Sequence, residues 1–189
     1  MNVIPVPKVL PRSIESDLRP ILLTTTFAKL LESFVGSWIL ERITIKLDDH
    51  QYGALKQRST THALGDMTHH WLNAVDKGQS VRAVFVDFTK AFDHVDHDIL
   101  VAKMRALDLS DVIICWMCSF LRHRCQRVVI GDVMSDCDWV QMVAGMPRGS
   151  YLGPLTFVIR IDTLHPICLT HKFIDDTTYD DRDFQQIRH

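Results

Sequence analysis

The apolar run VRAVFVDF, residues 81–88, carries a carboxylate at its end, Asp87, and the segment KFIDDTTYD carries an adjacent pair, Asp175 and Asp176. A single acid at a strand tip is an ordinary cap for a following helix. Two adjacent carboxylates at a tight turn cannot both cap efficiently, so the pair points to a site instead. If the two strands are neighbours, three carboxylates converge at one sheet edge, where two like charges about 4 Å apart repel by roughly 4 kcal/mol at an effective dielectric near 20. Such a cluster calls for cations. Hard oxygen donors without cysteine select magnesium or manganese, and a pair of these ions can activate an attacking hydroxyl and stabilise a leaving pyrophosphate.

The elements that must position these acids are legible as periodicities. Prolines at 5, 7 and 11 mark the opening MNVIPVPKVLPRS as extended strand or loop. Phe27, Leu30, Leu31, Phe34, Val35, Trp38 and Ile39 then recur at helical spacing, with Thr24 to Thr26 as candidate caps. A second helix is capped by Ser59, buries a stripe of Ala63, Leu64, Met67, Trp71 and Val75, and ends at Gly78. VRAVFVDF is apolar on both faces of the alternation, as a central strand should be. Helices follow over 98–107 and 112–121, then a strand pair turning near Gly131, a helix opened by Gly149 and Ser150, and a last strand entering KFIDDTTYD.

Of the 189 residues, 47% are hydrophobic and 23% charged, which excludes a disordered chain and fits one sizeable core or a domain with an incomplete neighbour. The net charge of −2 supplies no global basic field, so a nucleic-acid partner requires cations gathered locally. Cys115, Cys118, Cys125, Cys137 and Cys168 are an odd set of five, read as free thiols in a reducing compartment. No apolar run reaches the length of a bilayer span, so the expectation is a cytoplasmic or nuclear chain with no membrane partner.

VFVDFTKAFDHVDHDIL, GMPRGSYLGPLTFVIRIDTL and KFIDDTTYD, in that order, resemble the A, B and C motifs of reverse transcriptases of non-LTR (LINE-type) retrotransposons. Upstream, IPVPKV with DLRPILLTTTFAKLLE, and then QYGALKQRSTTHAL, resemble the fingers motifs of that family, so the likeness covers essentially the whole chain. It implies that Asp87 and Asp175 are metal ligands, with Asp176 beside them and the Phe88 carbonyl as a further oxygen. Phe92 matches the aromatic ring under the sugar of the incoming nucleotide, where it excludes a 2′-hydroxyl. Lys8 and Arg19 match the cations that hold the triphosphate. Gly149 and Ser150 match the helix opening against nucleotide and template. Arg148 makes motif B read PRGS where the family has PQGS, placing a cation at a neutral amide position of the nucleotide pocket. Arg160 and Thr163 stand where the family tends to have a tyrosine and an acid.

Other signals have plainer readings. The resemblance places Asp93, His94, Asp96, His97 and Asp98 at a helix start, where acids favour the dipole and histidines are solvated, rather than in a zinc site. Cys115 and Cys118 form a CxxC read as buried small hydrophobes, and Trp38 and Trp71 are read as core. Arg122, Arg124 and Arg127 are either a solvated charged connector or a track for template or primer phosphates.

The expected fold is α+β, a right-hand polymerase palm of a small antiparallel sheet backed by helices, with partial fingers and no thumb. Residues 1–78 are assigned to the fingers and 79–189 to the palm. The implied reaction is RNA-directed addition of a deoxynucleotide to a primer 3′-end with Mg2+ or Mn2+, on an RNA template and a DNA primer, as one segment of a longer polyprotein. Two other readings stand beside it: a catalytically inactive retrotransposon remnant that binds nucleic acid weakly, and a metal-dependent hydrolase built on the Asp and His cluster, which leaves the fingers motifs unexplained.

Overall fold

The computed structural model describes residues 1–11, 14, 17–131, 133–134, 139–147 and 149–181. The element order is β1(Asn2–Pro7), β2(Leu18–Leu22), α1(Thr26–Ile43), α2(Thr60–Asp76), β3(Arg82–Asp87), α3(His97–Ala106), α4(Asp111–Leu121), β4(Cys125–Ile130), β5(Val133–Met134), β6(Val140–Gln141), α5(Leu152–Ile161), β7(Leu169–Phe173) and β8(Asp176–Asp181). The expected α+β class is what is found. Two compact units are each discontinuous in sequence, one formed by 1–42 with 92–153 and the other by 43–91 with 154–189.

In the first unit the strands run β2-β1-β4-β5, with β6 also on β4. β1 pairs antiparallel with β2 and parallel with β4. Pro5 of β1 sits opposite Pro20 of β2, where neither can donate to the ladder. Helix α3 is capped by Asp96, whose side chain accepts from the backbone N–H groups of Asp98 and Ile99. His97 reaches the Gly145 carbonyl at 2.9 Å. Asp96, His97 and Asp98 thus start a helix, with Asp93 and His94 in the turn before it, close to what the resemblance implies.

Helix α1 departs from its periodicity. Phe27, Leu30, Leu31, Phe34 and Trp38 are exposed, whereas Glu32, Val35, Ile39 and Leu40 are buried. The helix is apolar around most of its circumference, so hydrophobic spacing does not single out one face. What selects the face is polar: buried Glu32 accepts from Ser150 Oγ at 2.6 Å and from the Tyr151 backbone N–H at 2.8 Å. Gly36, one turn on, leaves room for the Tyr151 ring, since a Cβ there would lie 2.6 Å from it. Trp38 is therefore not a core residue, and Cys115 on α4 is exposed rather than buried.

In the second unit α2 begins at the expected Ser59 cap and buries Ala63, Met67 and Ala74. Leu64 and Val75 of the expected stripe are exposed, and Trp71 is half-buried. The antiparallel sheet runs β3-β8-β7. Among the described residues β3 is thus an edge strand, not a central one, and Val84 and Phe85 are 55% and 70% exposed. Its apolar alternation reports burial that the described residues do not supply.

Beneath β7 lies a buried polar spine. The Lys172 backbone N–H donates to the His50 carbonyl and its own carbonyl accepts from Tyr52, so residues around Gln51 run parallel to the strand. Lys172 is 1% exposed, and its ammonium donates to Asp48 Oδ2 at 2.8 Å and to the Asp162 carbonyl at 3.0 Å. Burial pushes the Asp48 carboxyl up, but the Lys172 ammonium and the His50 backbone N–H outweigh it and hold the pKa below the ordinary value. Replacing Lys172 with Met removes the 2.8 Å ion pair to the half-buried Asp48, which keeps only the His50 backbone N–H and the nearby His50 and His165 rings, and should lower stability by about 1–3 kcal/mol, read as a drop in thermal midpoint. Because the folded pKa of Asp48 is depressed, its stabilising contribution is complete above the unfolded value of about 3.9 and is lost as pH falls through the lower folded value. The Lys172→Met protein should therefore show a flatter acid limb than the parent in stability measured against pH.

Candidate active site

The β7–β8 hairpin closes through two residues, Ile174 and Asp175, between the paired Phe173 and Asp176. Ile174 has φ +58°, a left-handed conformation that a β-branched side chain adopts only under strain. Gln51 holds the turn. Its buried side-chain oxygen accepts from the Gly53 backbone N–H at 2.9 Å and from the Ile174 backbone N–H at 3.3 Å. Gly53 must lack a side chain, because a Cβ there would lie 2.5 Å from both the Ile174 side chain and its backbone nitrogen. The QYG of the second fingers-like motif is thus a buttress for the acidic turn.

Strand β3 pairs with β8 in the register Phe85↔Thr178, Val86↔Thr177, Asp87↔Asp176. Directly opposed residues of an antiparallel pair project to one face, with Cβ atoms about 5 Å apart. Asp87 and Asp176 therefore share a face at the sheet end, and Asp175 adjoins them in the turn. Partial burial, then the charges of Asp175 and Asp87, push the Asp176 carboxyl above its ordinary pKa. Asp175 and Asp87 thus add their repulsion to the cost of desolvating the Asp176 charge, and a cation among these oxygens would offset both. The Phe88 carbonyl accepts from the Ala91 N–H at 3.2 Å, and the Phe88 ring meets Phe157 edge-on at 6.0 Å.

The expected nucleotide contacts lie in the first unit. Arg19 pairs with Val6 across β1 and β2, and the Lys8 backbone N–H donates to the Asp17 carbonyl two residues further along the same ladder. Both cations are exposed. The Phe92 carbonyl accepts from Met146 at 2.7 Å, and the half-buried Phe92 ring lies over Gly153, where a Cβ would come within 3.9 Å. Gly149, at φ +100°, brings the chain against the Leu22 carbonyl, 3.0 Å from where a Cβ would be. A cleft lined by Pro20, Leu22, Asp93, Met146 and Pro147 runs beside them. Arg148 lies outside the described residues.

Several expected contacts turn inward. Ser150 is 6% exposed, with its hydroxyl donating to Glu32 and accepting from the Leu152 N–H, so it caps α5 rather than facing a ligand. The three arginines of LRHRCQRVV do not form one track. Only Arg122 is solvent-facing, 3.8 Å from Asp98. Arg124 stacks on Phe120 at 4.2 Å, and its pKa is lowered by burial against the opposing pull of Glu32. Arg127 lies over the Trp139 ring at 4.6 Å and donates to Asn2.

Sequence reasoning missed a second constellation. Among the described residues, His50, Asp66, His70 and His171 each offer a donor atom within 4.8 Å of all the others. The i, i+4 spacing of Asp66 and His70 on α2 is the one local signal, while His50 and His171 arrive from distant segments.

Gln51→Leu should cost about 1–3 kcal/mol for each N–H it leaves unpaired and buried, and Gly53→Ala should displace the turn outright. Thermal midpoints should fall in both, with faster amide exchange at 173–176 than in the parent; unchanged exchange there would remove the buttress.

The family model for reverse transcriptase (RNA-dependent DNA polymerase) matches residues 6–179. The chain is 32% identical over 151 residues to the probable RNA-directed DNA polymerase from transposon BS of Drosophila melanogaster, covering 79% of this chain and 16% of that relative. It is 31% identical over 143 residues to the RNA-directed DNA polymerase from mobile element jockey of Drosophila funebris, covering 75% and 15% respectively. Among solved structures, apo telomerase from Candida tropicalis, truncated from its C-terminal domain, superposes with TM-score 0.59 at 13% identity, over 86% of this chain and 41% of that one, which shows a shared right-hand polymerase fold. Among the described residues no helix is long and apolar enough to cross a membrane. The chain spans about a sixth of the length of these curated relatives, and it belongs to the reverse transcriptase (RNA-dependent DNA polymerase) family, in the branch carried by non-LTR retrotransposons.

Proposed function

We propose that this chain is the nucleotidyl-transfer core of an RNA-directed DNA polymerase, joining a deoxynucleoside triphosphate to a primer 3′-end on an RNA template. The observation that carries the reading is the β3–β8 register, which puts Asp87 opposite Asp176 beside Asp175. These oxygens suit Mg2+ or Mn2+, with Asp87 and Asp175 as ligands, Asp176 beside them and the Phe88 carbonyl as a further donor. When bound, such ions lower the pKa of a hydroxyl and neutralise charge on a departing pyrophosphate. The residues of the chain supply the rest. Lys8 and Arg19 hold the triphosphate, Arg19 by a planar fork and Lys8 as a point charge. Phe92 sets the sugar preference through its ring, and Gly149 permits the close approach of backbone to nucleotide that Ser150 supports by capping α5. Arg148 adds a cation to the same pocket, and Arg122 is the arginine of its run left to meet phosphate. On this reading 1–78 serve as fingers and 79–189 as palm.

Catalysis of this kind depends on holding a primer terminus within about 3.5 Å of the phosphorus, and a misplacement of about 1 Å costs roughly a hundredfold. Since the chain spans 16% of the transposon BS relative and carries a net charge of −2, extension is expected when residues 1–189 replace the matching segment of such a relative, not from the chain alone. In that chimera, Asp87→Asn and Asp175→Asn should each cut primer extension on RNA at least about a hundredfold. Phe92→Ala should admit ribonucleotides. Full synthesis by the Asp175→Asn chimera would refute the carboxylate assignment, and unchanged sugar discrimination would refute Phe92.

A further inference from the structure

We propose that His50, His70, His171 and Asp66 form a zinc site, separate from the carboxylates, that ties helix α2 and the segment before it to strand β7. Asp66 is the hub. Its Oδ2 lies 2.9 Å from His171 Nε2 and 3.9 Å from His50 Nε2, and its Oδ1 lies 3.4 Å from His70 Nε2. Zinc–nitrogen bonds of about 2.1 Å in a tetrahedron separate neighbouring donors by roughly 3.4 Å; the Asp66–histidine spacings lie within about half an ångström of that value, and all four donors lie within 4.8 Å of one another, so side-chain adjustments draw them onto one ion. The three imidazole rings face one another with centroids 5.4, 5.8 and 6.3 Å apart. Three nitrogens and one carboxylate oxygen are a donor set for zinc rather than magnesium.

The surrounding shell points the same way. Metal-bound imidazoles characteristically direct their other nitrogen at a carboxylate or carbonyl, which fixes the tautomer. His171 Nδ1 lies 3.4 Å from Asp180 Oδ2, and His50 Nδ1 lies 3.5 Å from Asp48 Oδ1. Tyr52 donates its hydroxyl to Asp66 Oδ2 at 2.8 Å and so orients the fourth ligand. The independent observation is Asp180. It is 1% exposed, and neither of its oxygens, nor His171 Nδ1, makes a hydrogen bond of proper geometry. A buried carboxylate in that condition is costly. A cation bound at His171 Nε2 would fix a proton on Nδ1 toward Asp180 and balance its charge. A cleft lined by His50, His70, Ile167, Cys168 and Asp180 provides an entry path.

The site is tested on chelator-treated residues 1–189 titrated with Co2+ and then Zn2+, which needs no polymerase activity and so stands apart from the catalytic reading. One Co2+ per chain should bind with the visible bands of a tetrahedral ion and no thiolate charge-transfer band, be displaced by Zn2+, and raise the thermal midpoint. His70→Gln should weaken binding at least about tenfold, and Asp180→Asn about 10–100-fold. Cys168→Ser should leave affinity unchanged. Should His70→Gln fail to fold by circular dichroism, His50→Gln, at a half-exposed ring, gives the same reading. Absence of one-to-one binding at micromolar metal, undiminished affinity in a folded histidine variant, or a thiolate band abolished by Cys168→Ser would each overturn the proposal.

Discussion

Three carboxylates at the end of one sheet repel one another, and the backbone that carries them must be held by contacts that do not depend on those charges. In this chain the hold comes from strand β7. Its far end turns through Ile174 in a strained conformation, and the turn is kept there by the Gln51 amide oxygen and by the missing side chain at Gly53. One residue behind the strand end, Lys172 is locked to Asp48 and Asp162. A further residue back, His171 is locked to Asp66. A hairpin anchored in this way can present mutually repelling acids without splaying, and electrostatic preorganisation of this kind is what a charged transition state requires.

The first unit solves a similar problem with one acid. Glu32, buried on α1, accepts from Ser150 and Tyr151 and thereby sets where α5 begins. Its other oxygen, Oε1, has no hydrogen-bond partner, and the Arg124 guanidinium feels its charge. Gly149 approaches β2 and Phe92 lies over Gly153 because this corner is fixed by a buried polar contact rather than by apolar packing alone. The exposure of Phe27, Leu30 and Phe34 follows from the same choice of helix face.

The polar residues beneath β7 touch both the acidic turn and the histidine constellation. Asp48 pairs with Lys172 and also lies near His50, while Tyr52, Gln51 and Gly53 follow within five residues. The short segment 48–53 therefore couples the acidic turn to the histidine constellation. A metal at the histidines would stiffen the strand that leads to the turn without touching the carboxylates themselves.

Local pattern determined much of this protein. The cap at Ser59, the helix stop at Gly78, the turn near Gly131 and the acids at the ends of two strands are all readable, because each rests on a residue and its near neighbours. The ordered motifs around Asp87, Gly149 and Asp175 likewise carry the family resemblance in the linear sequence. What only tertiary structure decided are the choices between equivalent local options. An all-round apolar helix such as α1 has no preferred face until Glu32 meets Ser150, 118 residues away. An arginine such as Arg124 reads as a surface cation until Phe120 and Met1 enclose it. The histidine constellation draws His50 and His171 from segments 121 residues apart, and no spacing in a linear chain reports a meeting that exists only when β7 packs beside residues 48–53.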